Sequence, residues 1–393
     1  MEPLQRPPDW DEKIKAGKNT DRRYIYCQDG LGFYCLGDKA MAEKISAADF
    51  LQERQAAFSK LMQAKNLPEL SDLDRKALTL LLADNVNKKT LVRIITHNHP
   101  LTKRALDLIN TGNYGLKDTV KTINSAIEQL GLPSFKQAVY AALIMDFYSV
   151  EEADEWEHVY SSSLLMTKLT EDNPGIKGAR LIFAMLVHDL GKIVLKEYSY
   201  KSYQAVLITA RERGISQHKA EMQILKIGHA DAGGVLLKKW NISQDIIKTV
   251  FFHHHPAMPK EYAMETALVQ FVNWVDCQSR SIICAPPCHE LLKAANFEEF
   301  DINYMVGYQR NLINSLDSDH FRRINTPLSE PSGEVRASSF QNPLDTDTRS
   351  RLIDTASKIF KKPPDSQQAL PKIRKKTKLP GAHSLIFGDD RKS

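Results

Sequence analysis

Apolar residues recur at three- and four-residue spacing along most of the chain, the period of helices that bury one face and leave the other in water. Leu78, Leu81 and Leu82 are followed by Leu91, Ile94 and Ile95, and the pattern from Leu67 to about Phe147 is wholly helical. Helical signals also run from Ser46 to Lys65 and from Trp156 to Arg280. Asn98-His99-Pro100-Leu101-Thr102 reads as a turn, with a helix starting at Leu101, and Asn110 to Gly115 supplies the asparagines and glycines of a loop. A helix from Val120 to Leu130 ends at Gly131, and Leu132-Pro133-Ser134 opens the next, proline being harmless in a first turn. The period changes only near the start. Arg23 to Leu36, rich in aromatic residues and turning at Asp29-Gly30, predicts a small β-hairpin across which Cys27 and Cys35 could face each other as packing residues.

Polar, Pro-rich residues 1–20 predict a flexible start. After about Asp301 the composition shifts: Asn325 to Glu334 is a linker, a short helix can form from Thr348 to Phe360, and the remainder is Pro- and Lys-rich. The fold class is therefore all-α, with an N-terminal extension (1–64), a helical domain (65–300, in halves 65–150 and 151–300), and a linker with a mostly disordered basic tail (301–393).

The stretch that organises the chain is Leu181 to Lys192. An apolar run ending at Val187 delivers the adjacent pair His188-Asp189, and Gly191 is read as the left-handed residue that stops the helix. Two polar side chains at the end of so apolar a segment need partners, either each other or a divalent metal, which suits an imidazole beside a carboxylate. Seven of the twelve histidines fall between His158 and His255. His229 heads the apolar stripe Gly233, Leu236, Leu237 and Trp240, and Gly233-Gly234 allows a neighbouring helix to approach closely. His254 shares a face with Ile247, Val250 and Phe251, His253 lies beside it, and Asp276 continues the row Leu268, Val272. His158 follows Trp156 on its own helix. His97 and His99 have no acidic neighbour at ligand spacing and read as surface or packing residues, while His218 and Glu221 lie three apart on a polar helix face and fit no ligand pattern.

Composition narrows the class of protein. At 393 residues with 42% hydrophobic and 26% charged content, the chain is that of an ordinary globular protein. No apolar run nears the ~20 residues of a membrane helix. The first residues lack the apolar core of a signal peptide, so the cytoplasm is the expected location. Five unevenly placed cysteines argue against a secreted disulfide framework, and Cys277, Cys284, Cys288 and His289 fit no common zinc spacing. The net charge of +5 is concentrated: Arg351 to Ser393 holds eleven Lys/Arg against four Asp/Glu, a net of +7, which leaves −2 for the rest. Specific nucleic-acid binding is not expected of such a body, and any binding by the tail would be salt-sensitive and nonspecific.

Asn66 to Leu70, the segment Pro100 to Asn110 with Tyr114-Gly115, and Ile123 to Gly131 closely resemble the N-terminal half of HDOD domains, the "HD-related output domain". Trp156-Glu-His158, His188-Asp189-Leu-Gly-Lys192, Gly228-His229-Ala-Asp-Ala-Gly233, Leu236 to Trp240, Phe252-His253-His254 and Val275-Asp276 match the second half, so that the resemblance covers about residues 65–285. It implies a compact helical bundle, a bacterial source and a place in signal transduction through contacts with protein partners. His158, His188, Asp189, His229, His253, His254 and Asp276 match positions that bind metal in the wider HD phosphohydrolase superfamily, whose members hydrolyse phosphate esters at one or two divalent ions. The resemblance thus implies a retained metal site for Fe, Mn, Zn or Mg, with Asp189 bridging and Lys192 orienting the site or neutralising a phosphate. A regulatory protein with that site is the leading expectation, and a metal-dependent phosphohydrolase or phosphodiesterase is the alternative. His255, before Pro256, is expected to be exposed. The Asp-Gly-x-Gly-Tyr-Pro continuation of the cyclic-di-GMP phosphodiesterases does not follow His253-His254, which disfavours that substrate.

Overall fold

The computed structural model describes residues 24–27, 32–35, 47–64, 67–172, 178–254, 262–287 and 302–317. The strands β1 (Tyr24–Cys27) and β2 (Gly32–Cys35) pair antiparallel, with Tyr24 opposite Cys35 and Cys27 opposite Gly32. The hairpin forms where expected, but its register does not make Cys27 and Cys35 cross-strand partners. All other regular structure among the described residues is helical. The expected flexible start, the linker, the helix at 348–360 and the disordered basic tail lie outside the described residues, as do His255, Cys288 and His289.

Helices α1 (Ala47–Met62), α2 (Asp72–Leu82), α3 (Lys88–His97), α4 (His99–Ile109) and α5 (Ile123–Ile144) build the N-terminal half. The starts of α2 to α5 are set by side chains that accept the otherwise unpaired first-turn N–H groups: Ser71 from Asp74, Asn87 from Thr90, Asn98 from Leu101 and Thr122 from Ser125. Gly131, at φ +73, interrupts α5 just before Pro133, so the expected boundary survives as a kink within one long element. His97 and His99 are exposed, as expected. The second half comprises α6 (Ala153–Asp172), α7 (Gly178–Val187), α8 (Gly191–Tyr198), α9 (Tyr200–Arg213), α10 (Gln217–Ile224), α11 (His229–Lys239), α12 (Gln244–Phe252) and α13 (Ala263–Ser279). One continuous apolar core joins the halves, from Leu78 and Leu81 through Phe135, Phe183 and Leu186 to Trp240 and Phe271. α5 packs on both α6 and α7, and α7 packs in turn on α12. No helix among the described residues is long and apolar enough to cross a membrane.

Two features depart from the sequence-based expectations. Gly191 is not a left-handed helix stop: it opens α8, and its lack of a side chain lets that helix touch α11, since a Cβ there would lie 1.9 Å from the His229 carbonyl oxygen. The domain also continues past the expected boundary at 300 through α14 (Ile302–Ser315), which packs on α13 and α6 with Met305 and Gln309 buried. Gln309 Nε2 donates to Asp276 Oδ1 at 2.5 Å. Because that acceptor is a buried carboxylate, Gln309→Ala is expected to lower stability by about 2 kcal/mol, read as a shift in the urea midpoint. At the other end, buried Arg54 on α1 pairs with buried Asp231 on α11 at 2.7 Å and donates to the Lys226 carbonyl. Both flanking helices are therefore fastened to the elements that carry the histidines.

Candidate metal centre

Asp189 occupies the turn between α7 and α8, where the apolar run ends against the core, and four imidazoles converge on it. Its Oδ1 lies 3.0 Å from His229 Nε2, 3.5 Å from His188 Nε2 and 3.7 Å from His253 Nε2, and its Oδ2 lies 3.5 Å from His158 Nε2. His254 Nε2 is 2.9 Å from His229 Nε2. Asp189, His158, His188, His229 and His253 are all buried.

The far nitrogen of each of these four rings is held. His188 Nδ1 donates to the Met185 carbonyl at 2.7 Å and His253 Nδ1 to the Val250 carbonyl at 2.6 Å. A carbonyl oxygen only accepts, so these two rings carry their proton on Nδ1 and turn the Nε2 lone pair toward Asp189. His158 Nδ1 donates to Asp276 Oδ2 at 2.6 Å and His229 Nδ1 to Glu221 Oε2 at 2.7 Å. A hydrogen bond at the far nitrogen is how metal-ligating histidines are oriented.

The residues present fit a cation on two counts. Nε2 of His188 and Nε2 of His253 are buried with no hydrogen-bond partner, a costly state that a metal ion removes. Donor atoms ~2.1 Å from an ion lie about 3.0–3.4 Å from one another, close to the spacings around Asp189. Two sets of ligand atoms that share Asp189 lie within 4.8 Å of one another, Asp189 with His229, His253 and His254, and Asp189 with His158 and His188, and a third set, His218 with Glu221 and His229, adjoins them.

Electrostatics divides the rings. Burial pushes His188, His253 and His254 down, so they are neutral at pH 7, the form that binds metal. Burial also works against charge on His229, but the Glu221 and Asp189 carboxylates outweigh it and bring its pKa up to about 9. Burial would raise Asp189, yet His188, Lys192 and His229 overcome it and hold the carboxyl well below its usual range. Lys192 Nζ donates to Asp189 Oδ2 at 2.6 Å, which keeps the ammonium charged despite burial.

Asp276, expected as a ligand, stands one layer back. Its Oδ1 accepts from Ser161 and Gln309 and its Oδ2 from His158 and Arg280, so both oxygens are committed to anchoring rather than directed at the cluster. Conversely, Glu221 and His218, set aside on sequence grounds, belong to the site. Glu221 is fully buried against His229, and the His218 ring stacks on His254 at 4.4 Å. The available signal was that Glu221 shares the inward face of α10 with Ala220 and Ile224.

Comparison with known proteins places the fold. The model of the HDOD domain matches residues 67–256. An uncharacterized protein of Treponema pallidum (strain Nichols) is 26% identical over 224 residues, which are 53% of this chain and 42% of that protein, so the chain aligns with less than half of its relative's length. Among solved structures, an HDOD domain protein from Geobacter sulfurreducens superimposes with a TM-score of 0.58 at 19% identity, over 69% of this chain and 98% of that one. A protein of Shewanella amazonensis SB2B, provisionally named a phosphohydrolase, gives 0.54 at 15% identity over 69% and 98%. A provisionally named signal transduction protein of Marinobacter aquaeolei VT8 gives 0.54 at 14% over 73% and 67%. These solved structures share the helical fold described above, and the match of the domain model identifies residues 67–256 of this chain as an HDOD domain.

Proposed function

We propose that this chain is a signalling protein whose HDOD domain holds one or two divalent cations at Asp189 and hydrolyses a phosphate ester there. The observation that carries this reading is the pair of buried imidazole nitrogens without partners, on His188 and His253, beside the Asp189 carboxylate. One ion would be held by His158, His188 and Asp189, and a second by Asp189, His229, His253 and His254, with Asp189 common to both. Mixed imidazole and carboxylate donors favour Mn, Fe or Zn over Mg, which prefers oxygen ligands. Divalent ions in such a site supply Lewis-acid polarisation of a phosphoryl oxygen and lower the pKa of a water. The chain's own groups have separate tasks: Asp276 keeps His158 aimed, and Lys192 places a positive charge beside Asp189, where it can exchange its ion pair for a phosphoryl oxygen. The names carried by the Shewanella and Marinobacter structures are consistent with either half of this proposal.

A second reading has one observation in its favour. The Lys192–Asp189 pair already compensates the buried carboxylate without an ion. On that reading the cluster is structural, and the domain acts only through contacts with protein partners. The test is to strip the protein with a chelator, reload it with Mn2+, Fe2+ or Zn2+, and follow metal content together with hydrolysis of bis(p-nitrophenyl) phosphate and a panel of nucleotides. Bound metal with turnover that returns only on reloading is the expected result. Bound metal without turnover leaves the regulatory reading, and protein that takes up no metal overturns the site itself.

A further inference from the structure

Glu221 enters the site from α10, outside every motif that marks the other residues. One oxygen, Oε2, accepts two hydrogen bonds from a single residue: the His229 backbone N–H at 2.8 Å and the ring Nδ1–H at 2.7 Å. Together they fix both the first turn of α11 and the rotation of the imidazole about its side-chain bonds. The approach is built into the chain, since a Cβ on Gly228 would meet the His218 ring at 2.6 Å and close the space through which α10 reaches His229. The other oxygen, Oε1, is buried with no partner. A glutamine would serve the two His229 bonds with its carbonyl, so hydrogen bonding alone does not call for a carboxylate. What only glutamate supplies is the negative charge, held against the imidazole on the side away from Asp189.

We infer that Glu221 is a positioning residue for metal: it aims His229 Nε2 at the cluster, strengthens that nitrogen as a donor, and thereby sets the affinity of the ion position shared by Asp189, His229, His253 and His254. The inference rests on the metal reading above. It gives His229 the arrangement that Asp276 gives His158, and it divides the four rings into two held by carboxylates and two, His188 and His253, held by backbone carbonyls. A carboxylate behind an imidazole raises its basicity as a ligand, and removal of such a group costs 10–100-fold in metal affinity.

The experiment measures Mn2+ affinity of the full chain by competition with a chromophoric chelator, alongside thermal unfolding of the metal-free protein, for wild type, Glu221→Gln and Glu221→Ala. The expected result is a graded loss, about 10-fold for Glu221→Gln and about 100-fold for Glu221→Ala. The glutamine variant should unfold as a folded, cooperative protein, and it alone decides the matter if the alanine variant does not fold. Wild-type affinity in the glutamine variant overturns the role assigned to the charge, as does an affinity loss matched by collapse of its metal-free fold. If wild type itself binds no Mn2+, Fe2+ or Zn2+, the metal reading falls and takes this inference with it. If wild type binds and the variants bind equally well, only the inference falls.

Discussion

Gly191→Ala is expected to cost about 3 kcal/mol or more of folding stability, at the upper end of what overpacking a core does. The added carbon would lie 1.9 Å from the His229 carbonyl oxygen, 2.8 Å from the carbon of that carbonyl and 2.5 Å from the Gly233 nitrogen. All three are backbone atoms of α11, so no rotamer change relieves the clash, and α8 must move away from α11. Gly233→Ala provides the comparison. Its nearest contact is 3.3 Å, to a terminal methyl of Val250, which can shift by a few tenths of an ångström, and about 1 kcal/mol is expected. Urea unfolding of both variants at matched slopes tests the order. Equal stability of the two would show that the contact between α8 and α11 is not the constraint it looks to be. The separation should also move His229 away from Asp189, because the glycine sits two residues after one and against the carbonyl of the other.

How much of this was legible in the sequence depends on whether a residue's job shows in its own neighbourhood. Helix periodicity and the Gly131 break are local signals, and the helices they predict among the described residues are present. The residues around Asp189 were legible in part, because His229 heads an apolar stripe, His254 shares one, and His188-Asp189 ends an apolar run. Gly191 was misread because a glycine that allows left-handed backbone and one that allows contact between helices are the same letter. Only its placement against Gly233, more than forty residues on, separates the two. Asp276 was found but its role was not: what turns it from ligand to anchor is Ser161 on α6, Gln309 on α14, and Arg280 at the end of its own helix. α14 escaped because it follows a stretch where composition changes; it is held by buried Met305, by Val306 and Tyr308 packed against the core, and by hydrogen bonds that include those of Gln309 and the Val306 carbonyl. Glu221 was hidden by the polar neighbours on α10, although its spacing from Ile224 placed it facing inward.

Asp189→Asn should abolish the stabilisation of the protein by divalent metal while lowering the stability of the metal-free form only modestly. A ligand at 100 times its dissociation constant stabilises the folded state by about 2.7 kcal/mol, and this gain is the quantity expected to vanish. Asparagine keeps the shape of the side chain but removes the charge common to the two candidate ligand sets, and it faces the imidazoles with an amide that competes for their lone pairs. The metal-free cost is set by what the lost carboxylate leaves behind. Breaking a fully buried ion pair costs 3–5 kcal/mol, but neither partner here is stranded: the Lys192 side chain is 14% exposed and can turn to water, and His229 retains Glu221. About 1–2 kcal/mol is therefore expected in the metal-free state. Thermal unfolding with and without Mn2+, on wild type and variant, separates the two terms. If Mn2+ raises the melting temperature of Asp189→Asn as it does that of wild type, the ion is bound somewhere else and the convergence of rings on Asp189 has another purpose.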